Sequence, residues 1–76
     1  DGCDIDGRVE NSILFRGVRV GRGAIVRNSI LMQGVTVGNG CVLDHVVLDK
    51  GAVLRDGRTI VGYEGFPIIL KKNAVV

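Results

Sequence analysis

The chain repeats itself every seventeen residues. Val9-Glu10-Asn11-Ser12-Ile13-Leu14, Val26-Arg27-Asn28-Ser29-Ile30-Leu31 and Leu43-Asp44-His45-Val46-Val47-Leu48 place apolar residues at the same offsets. Self-similarity at a short fixed spacing means that each unit is one turn of a solenoid, which cannot bury its apolar side alone and stacks on its neighbour. Within a round most apolar-to-apolar steps are of six residues, as from Val20 to Val26 and from Val37 to Leu43, with a shorter step of five ending at Val37. Six-residue units that begin with an aliphatic residue and carry small residues second and fifth predict a triangular coil of three short parallel strands.

Aligned on this period, Ile13, Ile30 and Val47 form one column, Leu14, Leu31 and Leu48 a second, and Val20, Val37 and Leu54 a third. These columns are the expected core. Gly17, Gly34 and Gly51 recur in phase, as do Gly23, Gly40 and Gly57; turns are what demand glycine at a fixed phase, because it enters positive φ without steric cost. The coils are expected over residues 1–60, three to four of them, with a loop and a capping strand over 61–76 in which Tyr63, Phe66 and Pro67 pack on the end of the stack. A hydrophobic content of 46% with only 4% aromatic residues suits thin strands filled by Val, Ile and Leu.

Several function classes fall away on composition. A formal charge of +2 and three aromatic residues argue against nucleic-acid binding. No apolar run reaches the ~20 residues of a membrane span, so a cytoplasmic protein is expected. Cys3 and Cys41 fit neither a disulfide framework nor a metal motif and read as small buried hydrophobes; one histidine is too few for a metal centre. No cofactor is expected on this chain. At 76 residues, opening on Asp1-Gly2-Cys3 with no Met, it reads as a piece of a longer protein.

The outward columns carry what chemistry there is. Glu10, Arg27 and Asp44 share a column and predict a cross-strand charge ladder, each exposed pair worth ~0.2–1 kcal/mol. Asn11 and Asn28 predict a hydrogen-bonded amide ladder that His45 ends. His45 is expected to be a solvated column residue, with a general base as the functional alternative. From Asn11 to Leu43 there is no acid, whereas Arg16, Arg19, Arg22 and Arg27 fall in that stretch. Arg16, Gln33 and Lys50 share one column, and cationic forks in such a column suit phosphates and carboxylates; a solvated basic face or a subunit contact is the alternative. No P-loop, catalytic triad or carboxylate pair can be assembled, so no catalytic residue is assigned.

The phrases Glu10-Asn11-Ser12-Ile13-Leu14-Phe15-Arg16-Gly17-Val18, Asn28-Ser29-Ile30-Leu31-Met32-Gln33 and Val47-Leu48-Asp49-Lys50, one coil apart, resemble the C-terminal β-helix of the glucose-1-phosphate adenylyltransferase (ADP-glucose pyrophosphorylase) family, most closely its bacterial regulatory, D-type branch. Parallel crossovers are right-handed in nearly all folds, and the resemblance sets the opposite expectation: an all-β, single-stranded left-handed parallel β-helix of the hexapeptide-repeat type. It further implies an N-terminal nucleotidyltransferase domain that uses ATP and Mg²⁺, against which the β-helix packs. A homo- or hetero-tetramer with a catalytic paralogue, glycogen biosynthesis and a phosphorylated metabolite as effector are also implied. Lys50 matches the family lysine of the Asp-Lys phrase associated with activator binding, and Arg16 shares its column. Lys71 and Lys72 align only loosely with a second family lysine. The alternatives are a hexapeptide acyltransferase with His45 as base, for which no extruded loop is evident in the sequence, and a purely structural solenoid.

Overall fold

A computed structural model of the chain describes residues 3–76. Its twelve short strands form three four-stranded parallel sheets, and among the described residues there is no helix. The first sheet holds β1 (Asp4–Ile5), β4 (Arg19–Val20), β7 (Thr36–Val37) and β10 (Val53–Leu54). The second holds β2 (Arg8–Glu10), β5 (Ile25–Arg27), β8 (Val42–Asp44) and β11 (Thr59–Val61), and the third β3 (Ile13–Leu14), β6 (Ile30–Leu31), β9 (Val46–Leu48) and β12 (Ile68–Leu70). The chain visits the three sheets in turn, so each is one side of a triangular prism and each round adds one strand to every side. This is the expected left-handed parallel β-helix.

The seventeen-residue period is the register itself: Val9 pairs with Val26 and Val26 with Leu43, Leu14 with Leu31 and Leu31 with Leu48, Val20 with Val37. Two rounds depart from it. Ile5 pairs with Val20, so the first round is two residues short at the corner occupied by Gly7. Leu70 pairs with Leu48, so the last round is five residues longer, and the excess is extruded between β11 and β12. There Tyr63 and Phe66 exchange both backbone hydrogen bonds, at 3.2 and 2.9 Å, closing a small hairpin. Tyr63 is 74% exposed and Phe66 82%. They project sideways from a corner and do not cover the end of the stack, contrary to the expected cap packing.

Each corner is held by a column of residues with positive φ. Two are the glycine columns, Gly17, Gly34 and Gly51 at φ 70–75° and Gly23, Gly40 and Gly57 at φ 70–74°. The third is Asn11, Asn28 and His45, at φ 47°, 50° and 56°. Asparagine tolerates this region better than most side chains because its short polar group satisfies itself locally. The amide column is therefore a corner as well as a ladder.

Inside the prism lie Leu31, Leu43, Leu48 and Leu54 with Val18, Val20, Val26, Val35, Val37, Val46, Ala24, Cys41 and Ala52, all buried. Leu14 packs on them at the first coil. The column of Ile13, Ile30 and Val47 does not join this core. Ile13 is 58% exposed, Ile30 and Val47 are half-buried, and the column points outward. Adjacent residues of a strand face opposite sides, so with Leu31 inward its neighbour Ile30 must face out. Cys41 is buried as expected; Cys3 is only half-buried.

Candidate functional site

Arg16, Gln33 and Lys50 stand one above another at the corner between the third and first sheets, all three exposed. The backbone fixes this stacking: Gly34 N–H donates to Arg16 O at 3.1 Å and Gly51 N–H to Gln33 O at 3.0 Å. Asn73 N–H then donates to Lys50 O at 2.9 Å, which places Lys72 directly beyond Lys50. The corner thus carries three cations and an amide over four coils, a span of about 14 Å at the ~4.8 Å strand spacing. Among the described residues neither Arg16 nor Lys50 makes an ion pair. Asp49 Oδ1 accepts from the Lys50 backbone N–H at 2.6 Å, so that carboxylate is turned to the main chain. Exposed cations on a stiff corner can hold an anion with phosphate groups spaced along the stack.

Lys72, which the sequence aligned only loosely with a second family lysine, takes a place in this column that the seventeen-residue period did not show. Lys71-Lys72-Asn73-Ala74-Val75 repeats the form of Asp49-Lys50-Gly51-Ala52-Val53, with Asn73 (φ 60°) at the corner position of Gly51 (φ 70°). That echo was visible, but the five-residue hairpin displaces it from the seventeen-residue phase.

The corner between the second and third sheets is polar and internally satisfied. Asn11 Nδ2 donates to Asn28 Oδ1 at 2.6 Å, and Asn28 Nδ2 to Asp44 Oδ1 at 3.2 Å. His45 Nδ1 lies 2.8 Å from the same Asp44 oxygen. The amide ladder therefore ends on Asp44, and His45 is braced by its own neighbour, not simply solvated. The Glu10, Arg27 and Asp44 column is in register but does not form the expected chain of ion pairs. Glu10 pairs with Arg8 at 3.4 Å, Asp44 with His45, and Arg27 makes no ion pair among the described residues. Register fixes the Cα atoms; which partner a long side chain takes is a separate choice, and Glu10 and Asp44 each take one near in sequence that is as close at hand as the one across the ladder.

An open depression of about 280 Å³ lies on the first sheet, lined by Asp4, Asp6, Arg19, Thr36, Asn39 and Asp56 among others, away from Arg16 and Lys50. Asn39 and Asp56 there are structural: Asn39 Oδ1 accepts from Arg22 N–H and Asp56 Oδ1 from Asn39 N–H, both at 2.9 Å. Among the described residues no three His, Cys, Asp or Glu side chains converge as a metal site.

Triangular coils, positive-φ corners and an inward aliphatic column define a hexapeptide-repeat β-helix, a scaffold whose activities differ with what its surface carries. Residues 1–65 match the family described as GlmU-like, C-terminal hexapeptide, and the chain belongs to that family. Among named relatives, glucose-1-phosphate adenylyltransferase of Clostridium perfringens is 63% identical over 27 residues, 36% of this chain and 7% of that protein. The Geobacillus stearothermophilus enzyme of the same name is 56% identical over 27 residues, again 36% of this chain and 7% of that protein. The glycogen biosynthesis protein GlgD of Geobacillus stearothermophilus is 62% identical over 26 residues, 34% of this chain and 8% of that protein. The matched stretch thus spans less than a tenth of each relative's length. No solved structure matches the chain at a significant level.

Proposed function

We propose that this β-helix is the regulatory and assembly module of a glucose-1-phosphate adenylyltransferase of the D-type branch. The parent enzyme would join ATP and glucose 1-phosphate into ADP-glucose and pyrophosphate, in the cytoplasm and for glycogen synthesis. On this reading catalysis, with its ATP and Mg²⁺, belongs to an N-terminal domain against which the β-helix packs, in a tetramer with itself or a catalytic paralogue. The β-helix contributes no catalytic group. Its part is to bind a phosphorylated metabolite at the corner of Arg16 and Lys50, which Lys72 extends. The supporting observation is that corner: three cations stacked on one column, none in an ion pair among the described residues, on a chain whose named relatives are adenylyltransferases and a glycogen biosynthesis protein. The test is ADP-glucose formation by the longer protein containing this domain, with and without a sugar phosphate effector. Lys50→Ala should raise the effector concentration needed for half-response by about tenfold, the loss of one charge-assisted contact, and leave the effector-free rate alone. Unchanged effector response in Lys50→Ala, Arg16→Ala and Lys72→Ala together contradicts the assignment.

One observation favours a second reading. His45 is held by Asp44 at 2.8 Å beside the extruded hairpin, an arrangement a general base could use. An acyltransferase of this fold would lose acetyl transfer in His45→Ala; transfer that is absent from the parent or indifferent to that change ends this alternative.

A further inference from the structure

All three aromatic residues lie outside the core: Phe15 is 45% exposed, Tyr63 74% and Phe66 82%. Tyr63 and Phe66 stand in the extruded hairpin between β11 and β12, the segment that breaks the period. A solenoid filled by Val and Leu has no packing use for these rings, and leaving them in water forgoes a large burial. The hairpin is nonetheless firmly held. Gly62 N–H donates to Asp44 O at 2.7 Å and Ile68 N–H to His45 O at 3.1 Å, so both arms are tied to the coil beneath. Tyr63 and Phe66 close it as a hydrogen-bonded antiparallel pair across the two-residue loop Glu64-Gly65. Directly opposed residues put their side chains on the same face of the ribbon, with Cα atoms about 5.5 Å apart. The two rings therefore lie side by side, a platform set before any ligand arrives.

The surroundings of the platform select its ligand. Between Ile60 and Leu70 the only charged side chain is Glu64, at the loop tip. Stacking sites for nucleic acid add cations for the phosphates, and this hairpin has none. Asp44 and His45, both partly exposed, lie under the base of the hairpin, and the Asn11–Asn28 amide ladder leads up to them. Aromatic rings beside a carboxylate, an imidazole and amides suit an uncharged ligand that is apolar on its faces and hydroxylated at its edges. A pyranose ring has that form. We infer that the hairpin is a binding platform for an α-glucan chain, with Tyr63 and Phe66 stacking on successive glucose units and Glu64, Asp44 and His45 taking their hydroxyls. The choice of an α-linked glucose polymer rests on the role in glycogen synthesis proposed above; the stacking chemistry itself requires only a pyranose. The platform and the Arg16–Lys50 corner stand on opposite edges of the third side, so glucan and anion do not compete for one surface.

Tyr63 is the only tyrosine and the chain has no Trp, so tyrosine fluorescence of the 76-residue chain reports on the platform itself. Titration with maltoheptaose should give a saturable change with half-saturation at about 0.1–3 mM, the range of a small, solvent-open site. Phe66→Ala should weaken it about tenfold; at 82% exposure the change does not threaten the fold, which far-UV circular dichroism checks. Migration in native gels cast with glycogen reads the same binding without fluorescence. There the wild type and Tyr63→Phe should be retarded, and Tyr63→Ala should not. No fluorescence change up to about 20 mM maltoheptaose, binding indifferent to Phe66→Ala, an unretarded wild type, or a Tyr63 response to phosphatidylcholine vesicles in place of maltoheptaose overturns the inference. Effector-dependent ADP-glucose formation by the longer protein is a separate readout, so failure here and failure of the adenylyltransferase reading are distinguishable.

Discussion

Ser29→Ala should destabilise the chain by about 1–3 kcal/mol, the cost of stranding one buried donor. Ser29 is 2% exposed and follows the positive-φ residue Asn28. Its Oγ donates to Arg27 O at 2.7 Å and accepts from Val46 N–H at 3.2 Å. Arg27 O keeps a second donor when the hydroxyl is removed, His45 N–H at 3.2 Å. Val46 N–H has no such reserve, and Val46 is fully buried, so no water replaces the serine. Ser12 makes the equivalent bonds one coil earlier, donating to Glu10 O at 2.8 Å and accepting from Ser29 N–H at 3.1 Å, but it is half-buried at the rim of the stack. Water can reach it, so Ser12→Ala should cost less than about 1 kcal/mol. A chain of this length is expected to have a total stability of roughly 4–11 kcal/mol, so the Ser29 effect is readily measured by urea unfolding with far-UV circular dichroism. A change below about 0.5 kcal/mol for Ser29→Ala, or an equal cost at Ser12, would refute the claim that the Asn-Ser corner is stitched together by buried hydroxyls.

Three further outcomes follow from the corners. At Gly40 (φ 70°) an added Cβ meets nothing within 4 Å, so Gly40→Ala should cost only the left-handed backbone strain, about 1–2 kcal/mol. At Gly38 the Cβ would sit 2.7 Å from Asp56 N and 2.8 Å from Arg55 C, so Gly38→Ala should cost more, as unfolding midpoints will show. His45→Asn should keep stability within about 0.5 kcal/mol, whereas His45→Val, β-branched at φ 56°, should lose about 1–3 kcal/mol on the same assay.

Much of the fold is legible in the residues because a solenoid writes its register as a period. The columns Leu14, Leu31, Leu48 and Val20, Val37, Leu54, and the two glycine corners, follow directly. The third corner was hidden because asparagine and histidine stand where glycine marks the other two. The Ile-Leu pairs were ambiguous because both residues are apolar, and alternation along a strand admits only one of them to the core. The break in period after Ile60 marked the loop holding Tyr63 and Phe66, but that hairpin has no counterpart in earlier coils, so its five-residue excess, and with it the phase that brings Lys72 to Lys50, could not be read. Of the candidate site, Arg16 and Lys50 were legible as a column. The pairing of Glu10 with Arg8, and of Asp44 with His45, was not, because side-chain torsions decide among partners that register makes equally near.

The measurement that tests most directly whether this chain's chemistry lies on its basic corner is a titration of the isotopically labelled chain with a sugar bisphosphate, followed by amide and side-chain NMR shifts. Saturable changes confined to Arg16, Gln33, Lys50, Lys72 and their backbone neighbours, and abolished by Lys50→Ala, are the predicted result. Shifts centred on His45, or scattered over all three sides and unaffected by Lys50→Ala, would contradict it.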